Sequence, residues 1–172
     1  MANPEPSTEV WKKHTAPFDR VQSVSQSLST PRSASWIAAE ASVSESIARD
    51  HLNRLVEMTV LLEFDGEGTT TYAPDPIYQR FQVVRELLGE YDQDGLLKLK
   101  EDLRARIETW QDEYEVNSPD DLRDLATGTD SVEQAAEMRR IAAEWDVTEY
   151  RLDIVEDVID NYGTYSAYRP ST

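Results

Sequence analysis

Between Ser44 and Arg54 the chain sets out side chains able to read another molecule. Arg49 and Asn53 stand one helical turn apart, with Ser44, Glu45 and Ser46 on the turn before them and Asp50 beside them. A guanidinium can grip a guanine edge through two hydrogen bonds, an Asn amide can do the same to adenine, and Ser can bond phosphates or bases. Glu45 and Asp50 can accept from cytosine or hold Arg49 in place. Arg49 is the best single contact of the set. The plainer alternative is that Asp50 and Arg54, four residues apart, form an ordinary solvated helix pair. His51 reads as a packed or groove-edge residue in preference to a metal ligand.

Such a set works only if a helix holds it, and the apolar residues supply one. Ile47, Ala48, Leu52, Leu55 and Val56 form a stripe behind it, with Ser44 placed to cap the N-terminus. Two helices come before. Pro17 presets the first residue of a helix with Phe18, Val21, Val24 and Leu28 on one face, and Ser29-Thr30-Pro31-Arg32 breaks it. Ser33 or Ser35 then caps a short helix through Glu40, followed by a tight turn at Ala41-Ser42-Val43. After the third helix the period becomes that of a strand. Val60-Leu61-Leu62-Glu63-Phe64 and Thr69-Thr70-Thr71-Tyr72 flank a glycine-bearing turn, and Asp65, Gly66, Glu67, Gly68 and Thr69 make the candidate wing. Three short helices and a hairpin in about sixty residues is the order of a winged helix-turn-helix module, here over residues 17–76.

Residues 1–16, rich in Pro, Ser, Thr and Glu, read as an N-terminal arm, in which Val10 and Trp11 are the residues able to dock onto the body. Residues 77–163 read as helix almost throughout. Ile77, Phe81, Val84, Leu88 and Tyr91 recur at helical spacing, as do Leu96, Leu99, Leu103, Ile107, Trp110 and Tyr114. Seams so narrow suit helix partners. Phe81, Val84, Leu88, Leu96, Leu99, Leu103, Ile107 and Trp110 read as core or dimer interface in preference to a ligand pocket, and are the natural place for a homodimer axis, with the final helix as the alternative. Val132 to Trp145 and Leu152 to Tyr162 read as two further helices, the last ending at Gly163, with residues 164–172 as a tail. The expected fold is mainly α with a small β-hairpin: a winged helix-turn-helix domain followed by a multi-helix C-terminal region.

Thirty-four acids against seventeen bases give the 172 residues a formal charge of -17. Only Lys12, Lys13, Lys98 and Lys100 are lysines; the other bases are Arg. The acids are scattered along the chain with apolar residues between them, which argues for a folded protein in concentrated salt against a disordered polyanion. In molar salt the Debye length falls to about 3 Å, so dense carboxylates cease to repel across the molecule. The absence of Cys excludes disulfides, thiolate metal sites and cysteine nucleophiles, and fits a cytoplasmic address. No apolar run approaches spanning length, and MANPEPSTEV lacks the pattern of a secretory leader, so neither membrane nor export is expected.

The run SASWIAAEASVSESIARDHLNRLVEMTVLLEFDGEGTTTYAPDP resembles the winged-helix regulators of the ArsR-like group. The matching elements are Ile37-Ala38, Val43-Ser44, Leu52 and Leu55, then Leu61 to Tyr72. With WKKHTAPFDRV before it and Ala73-Pro74-Asp75-Pro76, RIETWQDEY, SPDDLRDLA and YRLDIVEDVIDNY after it, nearly the whole chain is similar to a haloarchaeal family of uncharacterised winged-helix proteins. The resemblance implies a winged-helix fold and a transcriptional role, and supplies no effector, operator or catalytic residue. Thr59 stands where the pattern places a Gly cap, and with no Cys and only His14 and His51 the metal-sensing ligands are not inherited.

The expected function is that of a sequence-specific regulator of transcription, a homodimer that occupies double-stranded promoter DNA as repressor or switch, with half-sites roughly 34 Å apart. The absence of a Gly-rich phosphate loop, nucleophile elbow or metal-ligand spacing argues against an enzyme, a cofactor or a metal. The wing pulls the other way. Asp65 and Glu67 bracket its tip, and residues 17–76 carry nine acids against four bases. The rival is a protein-interaction module whose acidic surface binds a basic transcription factor. Molar salt weakens that objection, because it removes most of the counterion-release gain that basic patches exploit, leaving base contacts, shape and bridging cations.

Overall fold

The computed structural model describes residues 6–167, in two units that divide between Phe81 and Gln82. It is mainly helical, with one small three-stranded antiparallel sheet.

The first unit opens with α1 (Pro6–His14) and α2 (Pro17–Gln26). Residues 1–5 of the expected arm lie outside the described residues; the rest is largely helical. A side chain from α2 grips the backbone at the C-terminal end of this arm. Arg20, only 7% exposed, donates through Nη1 to the carbonyls of Thr15 (2.6 Å) and Lys12 (3.4 Å), with its guanidinium 5.9 Å from the Trp11 ring. β1 (Arg32–Ser33) follows, a strand too short to show any period. It pairs with β3 through Arg32↔Tyr72 and Ser33↔Thr71.

α3 (Ala34–Ala41) and α4 (Glu45–Glu57) are each capped by a serine: Ser33 accepts from the Trp36 amide and Ser44 from the Ile47 amide, both at 3.3 Å. β2 (Leu61–Gly66) and β3 (Thr69–Pro74) form the hairpin, giving the order β1-β3-β2. Val21, Ile37, Leu52, Leu55, Leu61 and Tyr72 meet in the core of this unit. The stripe on α4 is narrower than expected. Ala48, Leu52 and Leu55 are fully buried, but Ile47 is 42% exposed.

α4 ends without glycine. Thr59 takes φ 60°, its amide donates to the Val56 carbonyl, and the Val60 amide reaches back to Leu55, both at 2.9 Å. Those two bonds and the burial of Val60 beside Leu55 make a Schellman cap in which Thr occupies the left-handed position. Ser42 after α3 (φ 53°) repeats the pattern, with Val43 donating to Ala38.

α5 (Pro76–Glu90), capped by Asp75 through the Ile77 amide at 2.8 Å, carries the chain into the second unit. There α6 (Gln93–Tyr114), α7 (Pro119–Gly128), α8 (Val132–Asp160) and α9 (Tyr162–Ser166) follow. Two apolar clusters hold it. Leu87, Leu88, Leu96 and Leu103 pack with Ile154, Val155 and Val158; Trp110 and Leu122 pack with Ile141, Ala142 and Trp145. The two helices expected after Val132 are one, because the Asp146–Arg151 stretch between them contains no Pro or Gly to break it. The tail expected from residue 164 is helical through Ser166; residues 168–172 lie outside the described residues.

Candidate nucleic-acid interface

α4 sorts its side chains by face. With Ala48, Leu52 and Leu55 buried, Ser44, Glu45, Ser46, Arg49, Asp50 and Asn53 are left on the open side, which gathers the expected contact residues on one surface. They are not equally available. Glu45 Oε1 accepts from both Arg49 Nε (3.1 Å) and Nη2 (2.6 Å). That bond is the main reason the Arg49 guanidinium holds its proton more tightly than an ordinary Arg. The Ser44 hydroxyl is engaged in capping. Asp50 and Arg54 do not pair among the described residues; Arg54 lies 5.5 Å over the Phe18 ring, against which half-buried His51 packs edge-on at 5.4 Å.

The hairpin beside α4 turns at Glu67 and Gly68, not across Asp65 to Gly68 as the composition implies. Gly66 and Thr69 are paired, and both intervening residues have positive φ (45° and 83°), the form of a two-residue type I′ turn. Asp65 sits inside β2, opposite Thr70, whose hydroxyl donates to it at 2.9 Å. The tip is exposed, as is β2 beyond Leu61, including Leu62 and Phe64 on one face. Glu63 and Asp65 alternate on the other face, the one that carries Tyr72.

Tyr72 joins the two elements and was not among the expected site residues. It is 2% exposed, and burial raises its pKa, with Glu63 and Asp65 pushing the same way and Arg49 opposing them. The phenol therefore senses both the helix guanidinium and the hairpin carboxylates. Its opposition to Glu63 follows from the hairpin register once the turn is fixed at Glu67-Gly68.

The seam expected to pair two copies packs within one chain. Leu88, Leu96, Leu103 and Trp110 are buried in the clusters of the second unit, Val84, Leu99 and Ile107 are half-buried against them, and Phe81 is 55% exposed. A heptad-like stripe specifies a helix partner without saying whose helix it is, and α8 supplies one in the same chain.

Residues 15–164 match a family described as a family of unknown function, DUF7342. The chain belongs to the DUF7342 family. The DUF7342 span starts at Thr15, which Arg20 holds by its carbonyl, and ends in α9; it takes in α2 to α8 and leaves α1 outside. No curated protein and no solved structure matches the chain. Among the described residues no helix is long and apolar enough to cross a membrane, and no three His, Cys, Asp or Glu side chains form a metal-ligating group.

Proposed function

We propose that the first unit is a winged helix-turn-helix module and that the protein regulates transcription by reading double-stranded DNA with α4. The observation that carries this reading is the α4 surface: a capped helix, buried along Ala48, Leu52 and Leu55, that turns Arg49, Asn53 and Ser46 outward together. The sequence of elements supports it, helix, short strand, two helices and a hairpin, with the short strand closing the sheet against β3. No hydrogen bond engages the Asn53 side chain among the described residues, so its amide is available to a base edge.

Affinity in this reading comes from base contacts and shape in a high-salt cytoplasm. A slope of about −0.9 in log K per neutralised phosphate per decade of salt leaves little for electrostatics at molar KCl. Two copies reading a two-fold site would occupy a promoter as repressor or switch. Selection of promoter fragments across a KCl series, with fold monitored, tests it. A palindromic motif enriched at high salt and lost in Arg49→Ala supports the reading; no enrichment from folded protein overturns it.

One observation favours a second reading. Leu62 and Phe64 are exposed on the same hairpin that carries Glu63, Asp65 and Glu67, a mixture suited to a basic protein with apolar contacts. Charge-reversing Glu63 and Glu67 would then abolish capture of a basic transcription factor and leave DNA selection unchanged.

A further inference from the structure

We infer that Glu45 is the positioning residue for Arg49, holding its guanidinium by one edge so that the other is offered to a guanine; this rests on the DNA reading above. A guanidinium carries five N–H donors in a planar fork. Glu45 takes the side edge, Nε and Nη2, with a single carboxylate oxygen at 3.1 and 2.6 Å. The end-on edge, formed by Nη1 and the second Nη2 proton, stays open, and it is an edge that matches guanine O6 and N7. Both side chains are about half exposed, at 50% and 49%, so the pair lies at the surface and not in a core.

The field of Arg49 reaches Tyr72, and so do those of Glu63 and Asp65 on the hairpin, while the carboxylate that acts on Arg49 itself is Glu45. Without Glu45 the guanidinium is free to sample its many rotamers. Immobilising one such side chain on binding costs about two- to tenfold in affinity, and Glu45 has already met part of that cost in the free protein. The pair tolerates salt better than long-range charge does. Its 2.6 Å contact lies inside the roughly 3 Å Debye length of a molar solution.

An acid at this place opposes phosphate, which separates the proposal from a general charge effect. Glu45→Gln should raise non-specific DNA affinity at low salt and lower base discrimination, two changes in opposite directions. The test is selection from a random duplex pool in about 1 M KCl with the full chain, its Glu45→Gln and Arg49→Ala variants and the double variant. The expected result is a two- to tenfold loss of guanine preference at one position in Glu45→Gln, complete loss in Arg49→Ala, and no further change in the double variant. Wild-type preference in Glu45→Gln overturns the positioning role and leaves the DNA reading standing; a wild-type chain that enriches nothing overturns both. NMR of the free protein adds a readout without DNA: exchange of the Arg49 Nε proton should quicken in Glu45→Gln. An unchanged rate overturns the proposal whatever DNA does.

Discussion

The guanidinium of Arg20 donates through Nε to the carbonyl oxygen of Ala41, 2.9 Å away, at the C-terminal end of α3. The same group holds the carbonyls of Lys12 and Thr15, so one buried cation serves the ends of two helices, where the macrodipole is negative. Arg20→Met should lower the stability of the first unit by about 2–4 kcal/mol in urea unfolding, since hydrogen bonds to charged groups contribute about 1.5–3 kcal/mol each and do not add fully. Lys should recover less than half, because it cannot fork. A loss below about 0.5 kcal/mol would show the contact to be ornamental.

Thr59→Gly should stabilise the protein by about 1 kcal/mol, because a left-handed conformation at a β-branched residue stores about 1–2 kcal/mol and Gly removes it at some entropic cost in the unfolded chain. Ser42→Gly, at nearly the same φ but without β-branching, should stabilise less. Thermal or urea unfolding of both variants checks the order; a larger effect at Ser42 contradicts it.

Gly68→Ala should weaken the hairpin by about 1 kcal/mol through its φ of 83°, with no clash, since nothing lies within 4 Å of the added Cβ. Glu67→Lys tests the wing in the DNA reading. If the tip approaches a phosphate, log K against log salt should steepen by about 0.9 for each phosphate that the lysine neutralises. An unchanged slope places the tip away from the backbone.

Tyr72 supplies a pH prediction. Its pKa is raised above 10.0, chiefly by burial and then by Glu63. The folded state thus holds the proton more tightly than the unfolded chain, and this contribution to stability is complete below pH 10 and is lost as pH rises through the folded pKa. Tyr72→Phe should flatten the alkaline fall in stability. Ultraviolet titration should find Tyr72 among the last phenols to ionise, and earlier in Glu63→Gln; a wild-type Tyr72 that ionises with the exposed phenols refutes the burial argument.

Element boundaries are legible in the sequence wherever a polar cap or a proline does local work. Ser33, Ser44, Asp92, Ser118 and Ser131 each accept a backbone amide at the start of a helix, and Pro17 and Pro119 sit at helix starts. What spacing could not carry is the identity of partners. Arg32 and Ser33 are two residues, too few to alternate, and become a strand only because β3 lies beside them. The Leu96 to Trp110 stripe asked for a helix and found it at α8, much further along the same chain. On α4, alternation of buried and exposed positions set out the candidate face, yet left open whether Glu45 or Asp50 would engage Arg49, since i,i+4 and i,i+1 neighbours both carry a carboxylate; helix geometry favours the former. Tyr72 escaped notice because its burial in the core of the first unit, within the field of Arg49, depends on tertiary packing.

α8 runs unbroken for 29 residues, about 43 Å, and lends Ile141, Ala142 and Trp145 to one cluster and Ile154, Val155 and Val158 to the other. Between them Thr148 is buried, its hydroxyl bonded to the Glu144 carbonyl. Neither cluster can surrender its stretch of this helix without fraying the ladder that the other relies on. The two therefore act as one cooperative foldon: amides from Ile141 to Val158 should exchange with deuterium at a shared opening free energy, and the second unit should have one unfolding lifetime where its two cores alone would allow two.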